Sequence, residues 1–262
     1  MTARPIVFLT DYGLDDEFVG VCHGVVARLA PDVNVIDLTH AIRRQDVASG
    51  ASAMSRAVPY MPADAVYLGV VDPGVGGERL PLALETSSGA FMVGPDNGLL
   101  SIAWKRLGGV KEAHSIESRE VMLEPVSRTF HGRDIFAPAA AHLAIGRPLE
   151  DLGRETPADR LARISFPAAR VRRGRIDCVV TWVDGFGNVE LNVRPSMLQE
   201  AGLDRGFRVG DVLFPTVATF DAAPEGQSVA VEDSSGFVAV AVNRGSAAEL
   251  LGLHEGDPVV LN

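Results

Sequence analysis

The sequence predicts an α/β protein: a helix-covered, mostly parallel sheet in its N-terminal part and a small β-barrel domain at its C-terminal end. Three observations predict it. Short apolar runs alternate with segments of helical spacing over the first half of the chain. Glycines and polar residues recur where those runs stop, as at the carboxyl edge of an open sheet. After Pro167 the long helical segments disappear and short strand-like runs follow one another, which places the domains at residues 1–166 and 167–262.

Ile6 to Thr10 is nearly all apolar, as expected of a strand covered on both faces, and Asp11 comes at its carboxyl end. A helix follows to about Leu29, with Asp15, Asp16 and Glu17 read as capping its positive end. Val33 to Leu38 reads as a second strand, Asp46 to Val58 as a helix closed by Pro59 and Pro62, and Val66 to Val71 as a third strand. The β-α-β-α-β alternation is what argues for a parallel sheet. That third strand runs into Asp72-Pro73-Gly74-Val75-Gly76-Gly77-Glu78-Arg79, longer than a simple turn needs, before Leu80 restarts an apolar run. Ala90 to Gly94 is another strand, Asn97-Gly98 precedes a helix over Leu99 to Leu107, and Thr129-Phe130-His131-Gly132-Arg133-Asp134 leads into an Ala-rich helix, Ala137 to Ile145, with Pro138 in its first turn. In the second domain the strands are Arg175 to Val183, Asn188 to Val193, Val209 to Phe214, Val229 to Glu232, Phe237 to Val242 and Pro258 to Leu261.

The 262 residues are 47% hydrophobic and 22% charged, an ordinary globular composition, and the formal net charge of −10 disfavours a nucleic-acid partner. Cys22 and Cys178, in a helix and a strand, read as structural thiols of a reducing compartment. No signal-type core and no membrane-spanning run is present, which predicts a cytoplasmic, soluble protein with no membrane partner. Phosphate-loop, dinucleotide, His-Glu-x-x-His, Cys-x-x-Cys and Gly-x-Ser-x-Gly patterns are all missing, so no metal and no cofactor is expected.

What remains is a set of polar residues at strand ends: Asp11, Asp72, Arg79, Asn97, His131 and Arg133. Each has an ordinary explanation. Asp11 could cap a helix, His131 could be a hydrogen-bonded core histidine, and the arginines could be surface ion-pair partners. Converging, an Asp, an Arg and a His could position a water and adjust its proton affinity. In the second domain, Asp184-Gly185-Phe186-Gly187-Asn188 reads as a hairpin turn or as a site offering a stacking ring and a paired donor and acceptor to a flat ligand.

Six segments carry a resemblance: Leu9-Thr10-Asp11-Tyr12-Gly13, Asp37-Leu38-Thr39-His40, Val71 to Gly76, Gly94 to Leu99, Thr129 to Asp134, and Asp184 to Asn188. In this order and spacing the chain resembles the S-adenosyl-L-methionine (SAM) hydroxide adenosyltransferases, or SAM hydrolases, relatives of fluorinase and chlorinase. The resemblance implies an N-terminal α/β domain, a C-terminal β-barrel and a homotrimer with its sites between subunits. It implies that Asp72, Arg79 and His131 activate water, that Asp11 holds the ribose hydroxyls, and that Asn97 and Phe130 belong to the substrate site. Asp184 would grip the methionine amino group, Phe186 and Asn188 would contact adenine, and Ser234 and Asn243 would bind the remaining polar groups. The halogenating relatives carry a tyrosine in place of Asp72 and a serine in place of Gly132, so this chain is expected to use water, hydrolysing SAM to adenosine and methionine. A chlorinase-type halogenase and a non-catalytic SAM- or adenosine-binding protein are the alternatives.

Overall fold

The computed structural model describes residues 3–262. The chain divides into two compact units, the first ending at Ile164 and the second running from Ser165 to Asn262.

In the first unit, β1 (Ile6–Thr10), β2 (Val35–Thr39), β3 (Val66–Val70), β4 (Pro81–Thr86), β5 (Phe91–Pro95) and β6 (Val110–Ser115) form one sheet in the order β2-β1-β3-β5-β4-β6. β1, β2, β3 and β5 are parallel, whereas β4 runs antiparallel to both of its neighbours. Four helices cover the sheet: α1 (Phe18–Leu29), α2 (Val47–Ala57), α3 (Ser101–Arg106) and α4 (Ala137–Ala144). Successive strand residues point to opposite faces. Accordingly Ile6, Phe8, Val66 and Leu68 pack with Cys22 and Val26 of α1 and the alanines of α4. Val7, Leu9 and Tyr67 pack with Met54 of α2 and Trp104 of α3. This two-sided burial is why the strands read as continuous apolar runs.

The acids at the starts of α2 and α1 behave differently. Asp46 does cap α2, accepting from the Ser49 N–H at 3.0 Å. The acids before α1 do not cap it: Glu17 occupies the cap position with helical dihedrals (φ −72°, ψ −5°) and makes no side-chain cap bond, because capping by side chain needs an extended residue there. β6 was also not read from the sequence, since Lys111, Glu112 and His114 mask its apolar pattern; as a sheet edge it tolerates charge on its open side.

The second unit is an antiparallel sheet of β7 (Arg170–Arg172), β8 (Arg175–Val183), β9 (Val189–Leu191), β10 (Gly206–Val209), β11 (Val212–Pro215), β12 (Ser228–Glu232), β13 (Val238–Val242) and β14 (Pro258–Leu261), with the order β11-β10-β14-β8-β9-β13-β12 and β7 beside β8. A bridge between Thr216 and Ala230 joins the two ends of that order, so the sheet nearly closes into a barrel. Ile176, Val180, Leu191, Phe207, Phe214, Val240 and Leu261 fill its interior. The expected single strand from Val209 to Phe214 is in fact parts of two: Val209 pairs with Val212 across the turn Gly210-Asp211. Two short helices, α5 (Pro195–Ala201) and α6 (Ala247–Leu251), lie outside the strand pattern.

Candidate active site

β1 and β3 are adjacent and parallel, so Asp11 and Asp72 emerge from neighbouring strand ends. A pocket of about 350 Å³ opens there, lined among others by Asp11, Tyr12, Gln45, Asp72, His131 and Gly132. The glycine-rich turn after Asp72 folds back on itself, with Val75 N–H donating to the Asp72 carbonyl and Gly77 N–H to that of Gly74. Gly76 is left-handed (φ +75°), and a Cβ on it would lie 2.3 Å from the Arg128 carbonyl oxygen. Only glycine lets the turn lie this close to the segment that carries His131.

That approach brings three side chains together. Arg79 Nε donates to both Asp72 carboxylate oxygens at 3.0 and 3.1 Å, and Nη2 donates to Oδ2 at 2.5 Å. The same Nη2 lies 2.6 Å from His131 Nδ1. A guanidinium only donates, so Nδ1 accepts and the proton of the neutral ring resides on Nε2. Asp72 and Arg79 side chains are 6% and 10% exposed, and the guanidinium sits over the Phe136 ring at 5.2 Å. Arg79 is therefore a buried partner of Asp72, unlike a surface ion pair.

His131 opens the irregular turn that runs through Gly132–Phe136 into α4. Asp134, 1% exposed, holds this loop by accepting from the Ser127 N–H at 2.8 Å and from Arg133 at 2.6 and 2.9 Å. Arg133 thus turns to Asp134 and over the Phe130 ring rather than joining Asp72 and Arg79. Phe130 packs edge-on against Tyr12 and Phe18, with ring centroids 5.8 and 5.2 Å apart, as part of an aromatic cluster beside the pocket.

Burial and the neighbouring Arg79 cation push the His131 pKa below its ordinary 6.5, against the opposing charges of Asp72 and Asp134. Protonation would set a second N–H against the Arg79 donor at Nδ1. A depressed histidine contributes stability that is full above about pH 6.5 and is lost as pH falls through the folded value. Turnover is expected to follow the same acid limb, with its midpoint below 6.5; a pH–rate profile with a midpoint above 6.5 would contradict it.

The other first-unit candidates have definite places. Asp11 does not cap α1; its Oδ2 accepts from the Gln45 N–H at 2.7 Å, and it faces the pocket. Asn97 is a strut, donating to the Val71 carbonyl at 2.8 Å and accepting from the Leu99 N–H at 3.1 Å. It fixes the strand end just before Asp72. Tyr12 received no individual role from the sequence, nor did Gln45. Burial raises the Tyr12 pKa, so its hydroxyl keeps its proton, and that oxygen would lie 2.1 Å from a Cβ placed on Gly132. Gln45 has the left-handed φ of 66° that side chains rarely adopt, which no sequence pattern announces.

In the second unit, Asp184 organises its own turn. Its Oδ1 accepts from the N–H groups of Phe186 and Asn188, both at 2.9 Å, and its Oδ2 from the Asn188 amide at 2.8 Å. The turn leaves the Phe186 ring 84% exposed. Phe186, Asn188 and Asn243 meet around a second pocket of about 540 Å³, joined by Phe220, which the sequence reading passed over. The Asn243 amide donates to the Ala223 carbonyl at 2.7 Å, tethering the loop that carries Phe220. Ser234 is not brought there: it is exposed in the turn before β13, whereas Asn243 follows that strand. Asp233 holds its turn through the N–H groups of Ser235 and Phe237.

A helix-covered sheet with an Asp–Arg–His cluster at its carboxyl edge, followed by a near-closed barrel with an aromatic pocket, defines the class. The profile of the SAM hydroxide adenosyltransferase N-terminal domain matches residues 6–153 and that of the C-terminal domain matches residues 178–260. The chain belongs to this family. Among its relatives, the (R)-S-adenosyl-L-methionine hydrolase of Salinispora tropica is 48% identical over 252 residues, covering 96% of this chain and 95% of that protein. The enzyme of the same name from Thermus thermophilus is 44% identical over 98% of this chain and 99% of its own length. The fluorinase of Actinopolyspora mzabensis is more distant, at 29% identity over 97% of this chain and 96% of its own. A crystal structure of a conserved protein from Thermotoga maritima superposes with a TM-score of 0.90 at 35% identity, covering 98% of this chain and 99% of that one.

Proposed function

We propose that this protein hydrolyses S-adenosyl-L-methionine to adenosine and L-methionine by attack of water at C5′. The observation that carries the reading is the pocket lined by Asp72 and His131, which Arg79 joins in one hydrogen-bonded cluster, in a chain 48% identical to a named hydrolase of this substrate. The C5′–S bond breaks with its electron pair going to sulfur, and the sulfonium leaves as a neutral thioether. The leaving group needs no acid. The C5′–O bond forms from water, and the second water proton is released.

The burden falls on the nucleophile, because bulk water has a pKa of ~15.7. Asp72 faces the pocket, and Arg79 leaves lone-pair capacity on its carboxylate. It is the acceptor for the water proton in this reading. His131 Nδ1 is occupied by Arg79, so the ring orients the cluster through Nδ1 and has only a donor at Nε2. Asp11 would take the ribose hydroxyls, with Tyr12 lining the same pocket and Phe130 packed behind it. Phe186 and Asn188 would take the adenine, Asp184 the amino group, and Asn243 a remaining polar group. Much of the acceleration would come from holding C5′ in line with the water.

One observation favours water over halide. The space beside Gly132 is filled by the Tyr12 hydroxyl, so the serine expected of halogenating relatives has no room at this position. A homotrimer with sites shared between subunits and a cytoplasmic location belong to the same proposal, on the family resemblance. Incubation with SAM in chloride-containing buffer at neutral pH, with nucleosides identified by mass, tests the reading. Adenosine and methionine are expected, and both should disappear in Asp72→Ala. A 5′-chloro-5′-deoxyadenosine product would support the halogenase instead, and unaltered SAM that raises the melting temperature would support a binding protein.

A further inference from the structure

We propose that His23, Asp37 and His40 form a binding site for a borderline divalent transition ion of the zinc type, separate from the Asp72–Arg79–His131 cluster. The three residues come from α1, from β2 and from the residue that follows β2. Their spacing follows no metal motif, so only the fold reveals them. His23 Nε2 and His40 Nε2 both lie close to Asp37 Oδ1, at 2.8 and 3.0 Å. The three ligand atoms all lie within 4.8 Å of one another. Ligands at about 2.1 Å from an ion stand about 3.0 Å apart at right angles and about 3.4 Å apart in a tetrahedron. The two nitrogen-to-oxygen separations therefore suit a shared ion after small side-chain adjustments.

The buried member of the set makes the stronger case. The His40 side chain is 3% exposed, and its Nε2 meets the geometry of a hydrogen bond with none of the described residues, although Asp37 Oδ1 is 3.0 Å away. The other ring nitrogen, Nδ1, lies 2.9 Å from the buried Thr10 hydroxyl. Thr10 Oγ1 also accepts from the Tyr12 N–H at 3.2 Å. Its second lone pair can accept from His40 Nδ1–H, which leaves Nε2 as an unpartnered lone pair beside a carboxylate oxygen. A cation between them turns that repulsion into two bonds. The Thr10 contact is then the outer partner that orients a metal-bound imidazole.

The chemistry of the set selects the ion. Two imidazoles and one carboxylate favour zinc, cobalt or nickel over calcium or magnesium, which prefer all-oxygen shells. His23 and Asp37 side chains are 34% and 45% exposed, so an ion has an entry path and water can complete its shell. The site also touches the pocket through the backbone. The His40 carbonyl accepts from the Gly13 N–H at 2.8 Å, so an ion held there would brace the Asp11–Gly13 turn. This proposal stands whether or not the protein hydrolyses SAM.

The test uses metal-stripped full-length protein and zinc chloride alone, with elemental analysis after dialysis and the melting temperature as second readout. Wild type is expected to retain one ion per chain and to melt higher with it. His23→Ala and Asp37→Asn, at accessible positions that tolerate change, are expected to fold and to bind about tenfold or more weakly. His254→Ala, which removes an exposed histidine beside Asp257, should bind like wild type. Cobalt provides an independent check, since its visible absorption should appear on wild type and vanish in His23→Ala. Failure of wild type to retain zinc, or retention undiminished in both ligand variants, would overturn the assignment.

Discussion

Replacing Arg79 by methionine is expected to lower turnover by at least ~100-fold and to destabilise the protein by about 3–5 kcal/mol. Both effects have one origin. Among the described residues, Arg79 supplies every side-chain hydrogen bond that Asp72 receives and the contact at His131 Nδ1. Without it a carboxylate only 6% exposed is left with its charge uncompensated, and the ring loses the donor that sets its tautomer. Changing Asp72 to asparagine in the same protein separates the effects. Removing both charges relieves the buried-charge penalty, so the double variant should regain most of the melting temperature yet remain inactive. A double variant that recovers turnover would mean the cluster serves the fold rather than the reaction.

Substituting Gly132 by alanine is expected to cost about 1–3 kcal/mol, by overpacking, and to reduce turnover about tenfold or more. The added methyl would lie 2.1 Å from Tyr12 Oη and 3.1 Å from its Cζ. The Tyr12 ring cannot withdraw freely, because Phe18 and Phe130 pack edge-on against it with centroids 5.9 and 5.8 Å away. Tyr12→Phe removes the clashing oxygen and leaves only the tight 3.1 Å contact. The phenylalanine should therefore rescue the melting temperature of Gly132→Ala, with a coupling that a double-mutant cycle reads directly. Equal losses with and without the tyrosine hydroxyl would show that Gly132 is required for another reason.

The strands that carry this site were legible because burial on both faces writes uninterrupted apolar runs such as Ile6 to Thr10. The polar residues marking their ends could be picked out by the same logic. Less visible was what each side chain does there. Asp11 and Asn97 both follow strands, yet one faces the pocket and the other ties the Val71 carbonyl; that difference depends on partners distant in sequence. Arg79 and Arg133 looked equivalent in the chain, but a neighbouring acid, Asp134, captures the second. Gln45 and Phe220 reach their pockets on loops whose paths are set by contacts elsewhere, and local spacing is silent about them. The expected strand from Val209 to Phe214 runs across the two-residue turn Gly210-Asp211 because that turn hardly interrupts the apolar pattern, and it leaves out most of β10. The His23–Asp37–His40 cluster is the extreme case, assembled from a helix, a strand and the residue after it with no shared motif.

In the proposed reaction water enters at C5′ under the control of the Asp72–Arg79–His131 cluster. The most direct measurement is the nucleoside product of SAM turnover in heavy-oxygen water, resolved by mass, for wild type and His131→Ala. Wild type is expected to give adenosine carrying the label on its 5′-oxygen, with its rate of formation sharply reduced in the variant. Unlabelled adenosine, or undiminished formation in His131→Ala, would contradict it.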